Sequence, residues 1–93
     1  VFREILKLKE RVEREVLPRF STRRQEAAHT LMRRLYKRPI VDVKEAASVI
    51  GSTTNTASAL INDLVTYGVL QEMTGQRRNR FFMFRDYFAL FER

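Results

Sequence analysis

Between Ile50 and Leu64 the chain reads IGSTTNTASALINDL, a stretch rich in side chains that could bond to nucleic-acid bases or phosphates. Asn can pair bidentately with adenine, and Ser or Thr hydroxyls can bond to bases or to phosphate oxygens. The candidate nucleic-acid contacts are Thr53, Thr54, Asn55, Thr56, Ser58 and Asn62. The same residue types are favoured at helix starts for local reasons, because their side chains cap free backbone N–H groups. Both interpretations, base contact and helix capping, stay open at this point.

The charge of this stretch argues against nucleic-acid recognition by its helix alone. The chain has a formal net charge of +7, yet no Lys or Arg lies between Gly51 and Leu70, and Asp63 adds a negative charge. Residues 1–38 carry 12 Lys or Arg against five Asp or Glu, whereas residues 39–76 carry one against four. A basic chain attracts polyanions. A double-stranded DNA partner would therefore be held mainly by other parts of the chain.

Two groups of cations could make such phosphate contacts. Arg77, Arg78 and Arg80 follow Gly75 in TGQRRNR, a segment typical of a hairpin turn. Long cations at a hairpin tip could reach a phosphate or the minor groove, or they could be solvated or pair with the protein's own acids. The second group could attract an acidic partner diffusely and consists of Arg19, Arg23, Arg24, Arg33, Arg34, Lys37 and Arg38.

No residue pattern in the 93 residues indicates catalysis or metal binding. The only His, His29, stands in AAHTLM without metal-ligand spacing around it, and no glycine-rich phosphate loop is present. We therefore expect no catalytic residue, no metal and no cofactor in this chain. The lack of Cys excludes disulfides and suits a cytoplasmic location. No apolar run approaches the roughly 18–20 residues that span a bilayer, so no membrane partner is expected.

Hydrophobic periodicity predicts two helices in the first part of the chain. The first spans 2–16 and ends at Pro18, because proline disfavours a helical residue before it. Its apolar stripe consists of Phe2, Ile5, Leu8, Val12 and Val16. The second helix starts at a capping box formed by Thr22 and Gln25 and stops at Pro39. Its buried stripe is predicted to be Ala28, Leu31, Met32, Leu35 and Tyr36.

Two further helices follow, joined by a tight turn. The third covers 44–50, with Asp42 as a possible N-cap, and Gly51 supplies the positive φ of the turn. The fourth covers 54–67, and Gly68 stands where a left-handed glycine commonly ends a helix. The residues predicted to be buried by the fourth helix are Ala57, Leu60, Ile61, Leu64 and Val65.

The remaining pattern indicates a winged helix-turn-helix. Residues 40–43 form a short extended entry, two strands flank a wing at 74–80, and a last aromatic helix covers 87–92. Helices followed by a hairpin are the order of that fold. The predicted class is mainly α, a small α+β fold with a two-stranded wing, an N-terminal helix and a short C-terminal helix. Residues 1–18 are predicted to be an N-terminal linker helix, and 19–93 the winged domain.

Aromatic residues are concentrated near the C-terminal end. Six of the ten aromatic side chains fall between Phe81 and Phe91. Alternation along a strand lets only part of this set face one core. The rest could form an apolar patch that meets another surface. The predicted interaction surface consists of Phe82, Tyr87, Phe88 and Phe91.

Several short motifs occur together between residues 17 and 92. The first are L-x-x-x-P at Leu35 and Pro39 and the helix from Ala57 to Leu64. They are followed by GVL-x-E from Gly68 to Glu72, Thr74-Gly75, RNR at Arg78-Asn79-Arg80, and the Tyr87-Phe88 helix. Each motif alone is weak, but the combination is specific and resembles the C-terminal winged-helix domain of Fic (filamentation induced by cAMP) family proteins.

The resemblance implies a parent protein that transfers AMP from ATP to hydroxyl groups of target proteins, in a bacterial cytoplasm. The catalytic motif of the family, a His and Phe before Gly-Asn-Gly-Arg, does not occur in this sequence. ATP and magnesium are thus implied only for a separate catalytic domain, and the start at Val1 suggests a piece of a longer polypeptide. The implied role is regulation or contact with the remainder of the parent or with a second copy in a homodimer. The alternatives are a DNA-binding module of the parent and a free-standing transcription regulator.

Overall fold

A computed structural model of the chain describes residues 2–73 and 80–91. The described residues are mainly helical and include one small antiparallel sheet of three strands. The predicted tip of the wing, with Gly75, Arg77 and Arg78, lies outside the described residues. None of the helices within the described ranges has the length and apolar content that crossing a membrane requires.

The N-terminal helical segment is longer and less regular than predicted. Helix α1 spans Phe2–Arg11, a wider π-helical turn covers Val12–Val16, and a 3-10 turn covers Leu17–Arg19. The helical path thus continues through Pro18, because proline is tolerated in the first turn of a helical segment, where its missing N–H needs no partner. The predicted burial of Leu8, Val12 and Val16 is confirmed, whereas Phe2 is 73% exposed.

Helix α2 spans Thr22–Lys37 and begins without the predicted capping box. Its N-cap is Ser21, whose carbonyl accepts from the backbone N–H groups of Arg24 and Gln25, each at 2.9 Å. The Gln25 amide instead donates to the carbonyl of Phe20 at 3.1 Å. The prediction was wrong because Thr22 lies one position inside the helix. The buried residues of α2 are Ala28, Leu31, Met32 and Leu35, and Tyr36 packs at the edge of the core.

Helices α3, Val43–Ile50, and α4, Thr54–Thr66, follow the predicted turn chemistry. The Asp42 carboxylate accepts from the Glu45 N–H at 2.7 Å, so the predicted N-cap is confirmed. Gly51 ends α3 with φ of 66°, and Gly68 follows α4 with φ of 81°. The buried face of α4 consists of Ala57, Leu60, Ile61 and Leu64. Val65, also predicted to be buried, is 37% exposed because it lies beyond the edge of that face.

The sheet contains one strand more than the predicted two-stranded wing. Strand β1, Ile40–Asp42, and strand β2, Leu70–Glu72, both pair antiparallel with β3, Phe81–Phe84, in the order β1-β3-β2. The register sets Val41 opposite Phe82 and Leu70 opposite Phe84, all four of them buried. Residues predicted only as a short extended entry thus form strand β1, because the free edge of the apolar strand β3 pairs with them. The local sequence does not reveal this pairing.

Helix α5, Arg85–Ala89, begins two residues before the predicted start. It lies against α1: the Arg11 guanidinium bonds to the Asp86 carboxylate, and Leu8 and Leu90 line the same small cavity. Leu8 also belongs to the buried cluster that contains the sheet and helices α2–α4. The N-terminal helix is therefore packed onto the rest of the fold.

The turn at Gly51 gives a direct test of the fold. A Cβ atom there would meet no heavy atom within 4 Å, so a side chain is opposed only by the left-handed backbone. We expect Gly51→Ala to lower the free energy of unfolding by about 1–2 kcal/mol, the cost of that conformation for an L-residue. Gly51→Asn, the control, should cost less, because Asn tolerates this region. Urea denaturation measures both, and an equal loss in both variants would contradict this explanation.

Candidate functional site

Thr53 and Thr56, two of the predicted nucleic-acid contacts, form the N-cap of α4. The Thr53 hydroxyl oxygen accepts from the Thr56 N–H at 3.2 Å, and the two hydroxyl oxygens lie 3.1 Å apart. These bonds satisfy a free N–H group at the helix start, as the capping interpretation predicts. Base or phosphate contact by either hydroxyl would have to compete with this arrangement.

The other four predicted contacts line the solvent side of α4. Thr54, Asn55 and Asn62 are exposed, and Ser58 is half-buried. Within the part of the chain that the structure describes, the side chains of these four residues make no hydrogen bond; the Thr66 hydroxyl donates to the backbone carbonyl of Asn62 at 3.0 Å. Their polar groups are thus accessible to a partner.

The negative charge on α4 is matched by an arginine of α2. Arg24 Nη1 lies 2.6 Å from Asp63 Oδ2, and its guanidinium lies over the Phe20 ring, 5.4 Å from the centroid. The sequence places Arg24 among the cations that could attract an acidic partner diffusely. In the fold, its guanidinium is paired with Asp63 instead. The accessible face of α4 therefore has polar character without a cation of its own.

At the base of the wing, Arg80 is also bound within the protein. Its Nη2 lies 2.5 Å from Glu72 Oε1, and its guanidinium lies 5.3 Å from the centroid of the Phe82 ring. The alternative interpretation, pairing with the protein's own acids, thus describes Arg80. Arg77 and Arg78 lie outside the described residues.

The predicted aromatic surface is only partly a surface. Phe82 is 2% exposed and belongs to the core, because it points inward from the central strand; its inclusion was wrong. Tyr87 is half-buried, and its hydroxyl donates to the Tyr36 carbonyl at 2.7 Å. Phe88 is half-buried, and Phe91 packs edge-on against Tyr87 but is 56% exposed. Phe91 is therefore the most accessible of the four.

Two other groups of large apolar side chains are exposed. Phe2 and Leu6 lie one turn apart on α1, with 73% and 45% of their surface exposed. Met73 and Phe81 lie opposite each other at the end of the sheet, where the Met73 N–H donates to the Phe81 carbonyl at 2.9 Å. Helical periodicity assigned Phe2 to the apolar stripe of the first helix. Its exposure could not be predicted without knowing which side of α1 packs against the rest of the fold.

Arg34 is a structural residue that the sequence did not distinguish from its basic neighbours. Its guanidinium donates to the carbonyls of Arg38 at 2.6 Å and Ile40 at 3.3 Å, and to Glu45 at 2.7 Å. These bonds join the end of α2, strand β1 and helix α3. Only 14% of its side chain is exposed, so this cation fixes the fold instead of attracting a partner.

The neighbouring Tyr36 is held in its neutral form. Burial and the nearby Glu13 carboxylate raise the pKa of Tyr36 from 10.0 to about 12. The Lys9 ammonium lies over its ring, 5.0 Å from the centroid. The ring also contacts Phe84 and Tyr87, with centroids 5.5 Å away in both cases. Tyr36 thereby links α1, α2, β3 and α5.

The described residues include no group of three or more acidic or His side chains placed to hold a metal ion. His29 is half exposed, and its Nε2 lies 3.9 Å from a Glu13 oxygen. Three comparisons with known proteins found no match: no family model, no curated protein and no solved structure is similar enough to assign the chain to a family.

The raised pKa of Tyr36 makes the stability depend on alkaline pH. The folded protein favours the protonated phenol, so the contribution is complete below pH 10 and is lost as the pH rises from 10 to about 12. We expect urea denaturation to show a smaller loss of stability over this range for Tyr36→Phe than for the wild type. Tyr67→Phe is the control variant. Identical pH dependence of Tyr36→Phe and the wild type would contradict the assignment.

Proposed function

We propose that the chain is a non-catalytic winged-helix module of a Fic-type protein and that it acts through protein contacts, in regulation or in interdomain or subunit association. The order of elements supports the fold: α2, β1, α3 and α4 precede two paired strands, and a tight glycine turn joins α3 to α4. Strand β3 lies in the middle of the sheet, so the predicted wing extends from a strand that is anchored on both edges.

The residues that carry the Fic resemblance support the same fold by their contacts. Glu72 of GVL-x-E and Arg80 of RNR pair with each other across the hairpin. The Pro39 carbonyl accepts from the Phe84 N–H at 2.7 Å, and Tyr87 bonds to the end of α2. These motif positions therefore have architectural roles, which suits an accessory module. The AMP transfer implied for the parent, with its ATP and magnesium, belongs to residues outside this sequence.

The observation that favours protein contact is the exposure of large apolar side chains on two neighbouring elements. Phe2 and Leu6 of α1 and Phe91, just after α5, are exposed, and α1 and α5 pack side by side. Phe2 and Leu6 lie on the side of α1 opposite the residues that face α5, which are Glu4, Lys7, Leu8 and Arg11. We use the name α1–α5 surface for Phe2, Leu6 and Phe91 together with Phe88, which form two groups on neighbouring elements. Aromatic anchors of this kind supply most of the binding free energy in protein interfaces. By contrast, the accessible face of α4 has no cation.

DNA binding is the second candidate, and the accessible Thr54, Asn55 and Asn62 favour it. These side chains lie on the helix that follows the turn, which is the recognition helix when a helix-turn-helix binds the major groove. Amide and hydroxyl groups there could bond to base edges. The wing would have to supply the phosphate contacts.

The protein-contact proposal predicts association that depends on the α1–α5 surface. We expect sedimentation velocity to show either self-association of the chain or its binding to the catalytic part of the parent. Phe91→Asp should abolish that association, because a charge cannot be buried without a partner. Val65→Asp changes an exposed apolar residue on α4 and is the matched control. The proposal would be contradicted if the chain were a monomer that does not bind the catalytic part of the parent. It would also be contradicted if Phe91→Asp and Val65→Asp weakened the association equally.

The DNA candidate predicts binding that weakens with salt. Fluorescence anisotropy with duplex DNA should show tighter binding at about 50 mM than at about 200 mM salt, because phosphate contacts release counterions. The joint change of Arg77, Arg78 and Arg80 to Ala should reduce affinity at all sequences. Asn55→Ala and Asn62→Ala should reduce preference among sequences. If the anisotropy of the duplex did not change on addition of the protein at either salt concentration, DNA binding would be excluded.

A further inference from the structure

An open, basic cleft lies between α1, α2 and α3, on elements other than α4 and the wing. Its volume is about 710 Å³, and four of its lining side chains are Lys9 of α1 and Arg33, Arg34 and Lys37 of α2. Thr30 adds a hydroxyl group, and Tyr36 also lines the cleft. We name this feature the basic cleft. It exists only in the folded chain, because Lys9 comes from a different helix than the other three cations.

The positive charge of the basic cleft is only partly compensated. Glu45, beside α2, is shared by two arginines: it lies 2.7 Å from Arg34 and 3.7 Å from Arg38. Arg33 contacts the Thr30 hydroxyl at 3.4 Å. No acidic side chain lines the cleft within the described residues.

Two ionisable groups lie beside the cations of the cleft, Glu13 and Tyr36. Glu13, on the segment that follows α1, is near enough to Tyr36 to raise its pKa, so it offsets part of the charge at that side of the cleft; it is 62% exposed and lies 3.9 Å from His29. The Tyr36 phenol is neutral at physiological pH and adds no negative charge. The cleft therefore retains a net positive charge from Lys9, Arg33 and Lys37.

We propose that the basic cleft binds the phosphodiester backbone of nucleic acid without regard to base sequence. The lining suits phosphates: Lys and Arg with a Thr hydroxyl are the side chains that contact nucleic-acid backbones. Protein interfaces are instead depleted in Lys at their centres and rely on exposed aromatic anchors. The large exposed apolar side chains of this chain lie outside the cleft lining.

The scaffold of the cleft is held in place before any ligand binds. Arg34 fixes the end of α2 to β1 and α3, and the contacts of Tyr36 with Phe84 and Tyr87 fix α2 to the sheet and α5. Arg33 and Lys37 lie on successive turns of one helix, about 5–6 Å apart at Cβ. The backbone positions from which these exposed cations extend are thus fixed relative to one another. This inference goes beyond the proposed protein contacts, and it uses a surface other than α4 and the wing, on which the DNA candidate rests.

The test is fluorescence anisotropy of a labelled, mixed-sequence DNA duplex, titrated with the chain at several salt concentrations. The test variant carries Lys9→Gln, Arg33→Gln and Lys37→Gln. The matched control carries Arg3→Gln, Arg14→Gln and Arg85→Gln, three exposed cations outside the cleft, so both have the same net charge. Circular dichroism melting establishes that both are folded.

We expect the cleft variant to bind at least tenfold more weakly at low salt. Its slope of log affinity against log salt should be shallower by about 2–3, because each lost phosphate contact removes about 0.9. The control should keep most of the wild-type slope, and Lys9→Arg with Lys37→Arg should bind as the wild type does. Poly-glutamate, an unlabelled competitor, should displace the duplex only weakly.

Three results would overturn the proposal. Equal losses in the cleft variant and the control would show diffuse attraction by net charge. Competition by poly-glutamate as strong as that by unlabelled duplex would show a site for acidic protein segments. Binding that is unchanged in the cleft variant, or absent in the wild type, would show that the cleft does not hold nucleic acid.

Discussion

The structure depends on the central position of β3. Its backbone pairs with β1 on one edge and with β2 on the other, so it joins two segments that begin 30 residues apart in the chain. Phe82 and Phe84 point from it into the core, with 2% and 1% of their surface exposed. Two aromatic side chains of this size dominate the energetics of a small core. Loss of this strand would remove both aromatic side chains from the core and leave β1 and β2 without a pairing partner.

Phe84 connects the central strand β3 to the elements that carry the two surfaces for which we propose a function. Its ring contacts Tyr36 and Tyr87, and the Tyr87 hydroxyl bonds to the Tyr36 carbonyl, so α2 and α5 are fixed to the sheet and to each other. Helix α1 then docks on α5 through Arg11 and Asp86 and on Tyr36 through Lys9. Both the α1–α5 surface and the basic cleft require this docking. The two proposals therefore share one structural premise, although they concern different partners.

Local signals in the sequence predicted much of the α3–α4 unit. The Asp42 cap, the Gly51 turn, the Gly68 end and the buried stripe of α4 each depend on residues within a few positions of one another. Two errors were local: the capping box at Thr22 and Gln25, and the burial of Val65. The larger errors concerned contacts between distant residues. Strand β1 forms only because β3 lies beside it, and Phe2 is exposed because the docking of α1 uses Leu8 and Val12 instead.

The candidate functional sites show the same difference between local signals and contacts of distant residues. The sequence identified the polar face of α4 and the exposed Phe91, but charge alone could not separate structural from accessible cations. Arg24 pairs with Asp63, 39 positions away, and Arg80 pairs with Glu72, whereas Arg33 and Lys37 remain at the surface of a cleft. Helical periodicity does not reveal which other helix or strand packs against each face of a helix. Lys9 could not be assigned to that cleft before the position of α1 was known.

Native-state amide hydrogen exchange of the chain tests the shared premise most directly, because it measures the opening of each segment separately. We predict that the hydrogen-bonded amides of α1 near Leu8, and those of the following turn near Val12, are protected and open together with those of β3. Exchange of α1 at a much lower free energy of opening than β3 would show that the N-terminal helix stands free of the fold, which would contradict both the α1–α5 surface and the basic cleft.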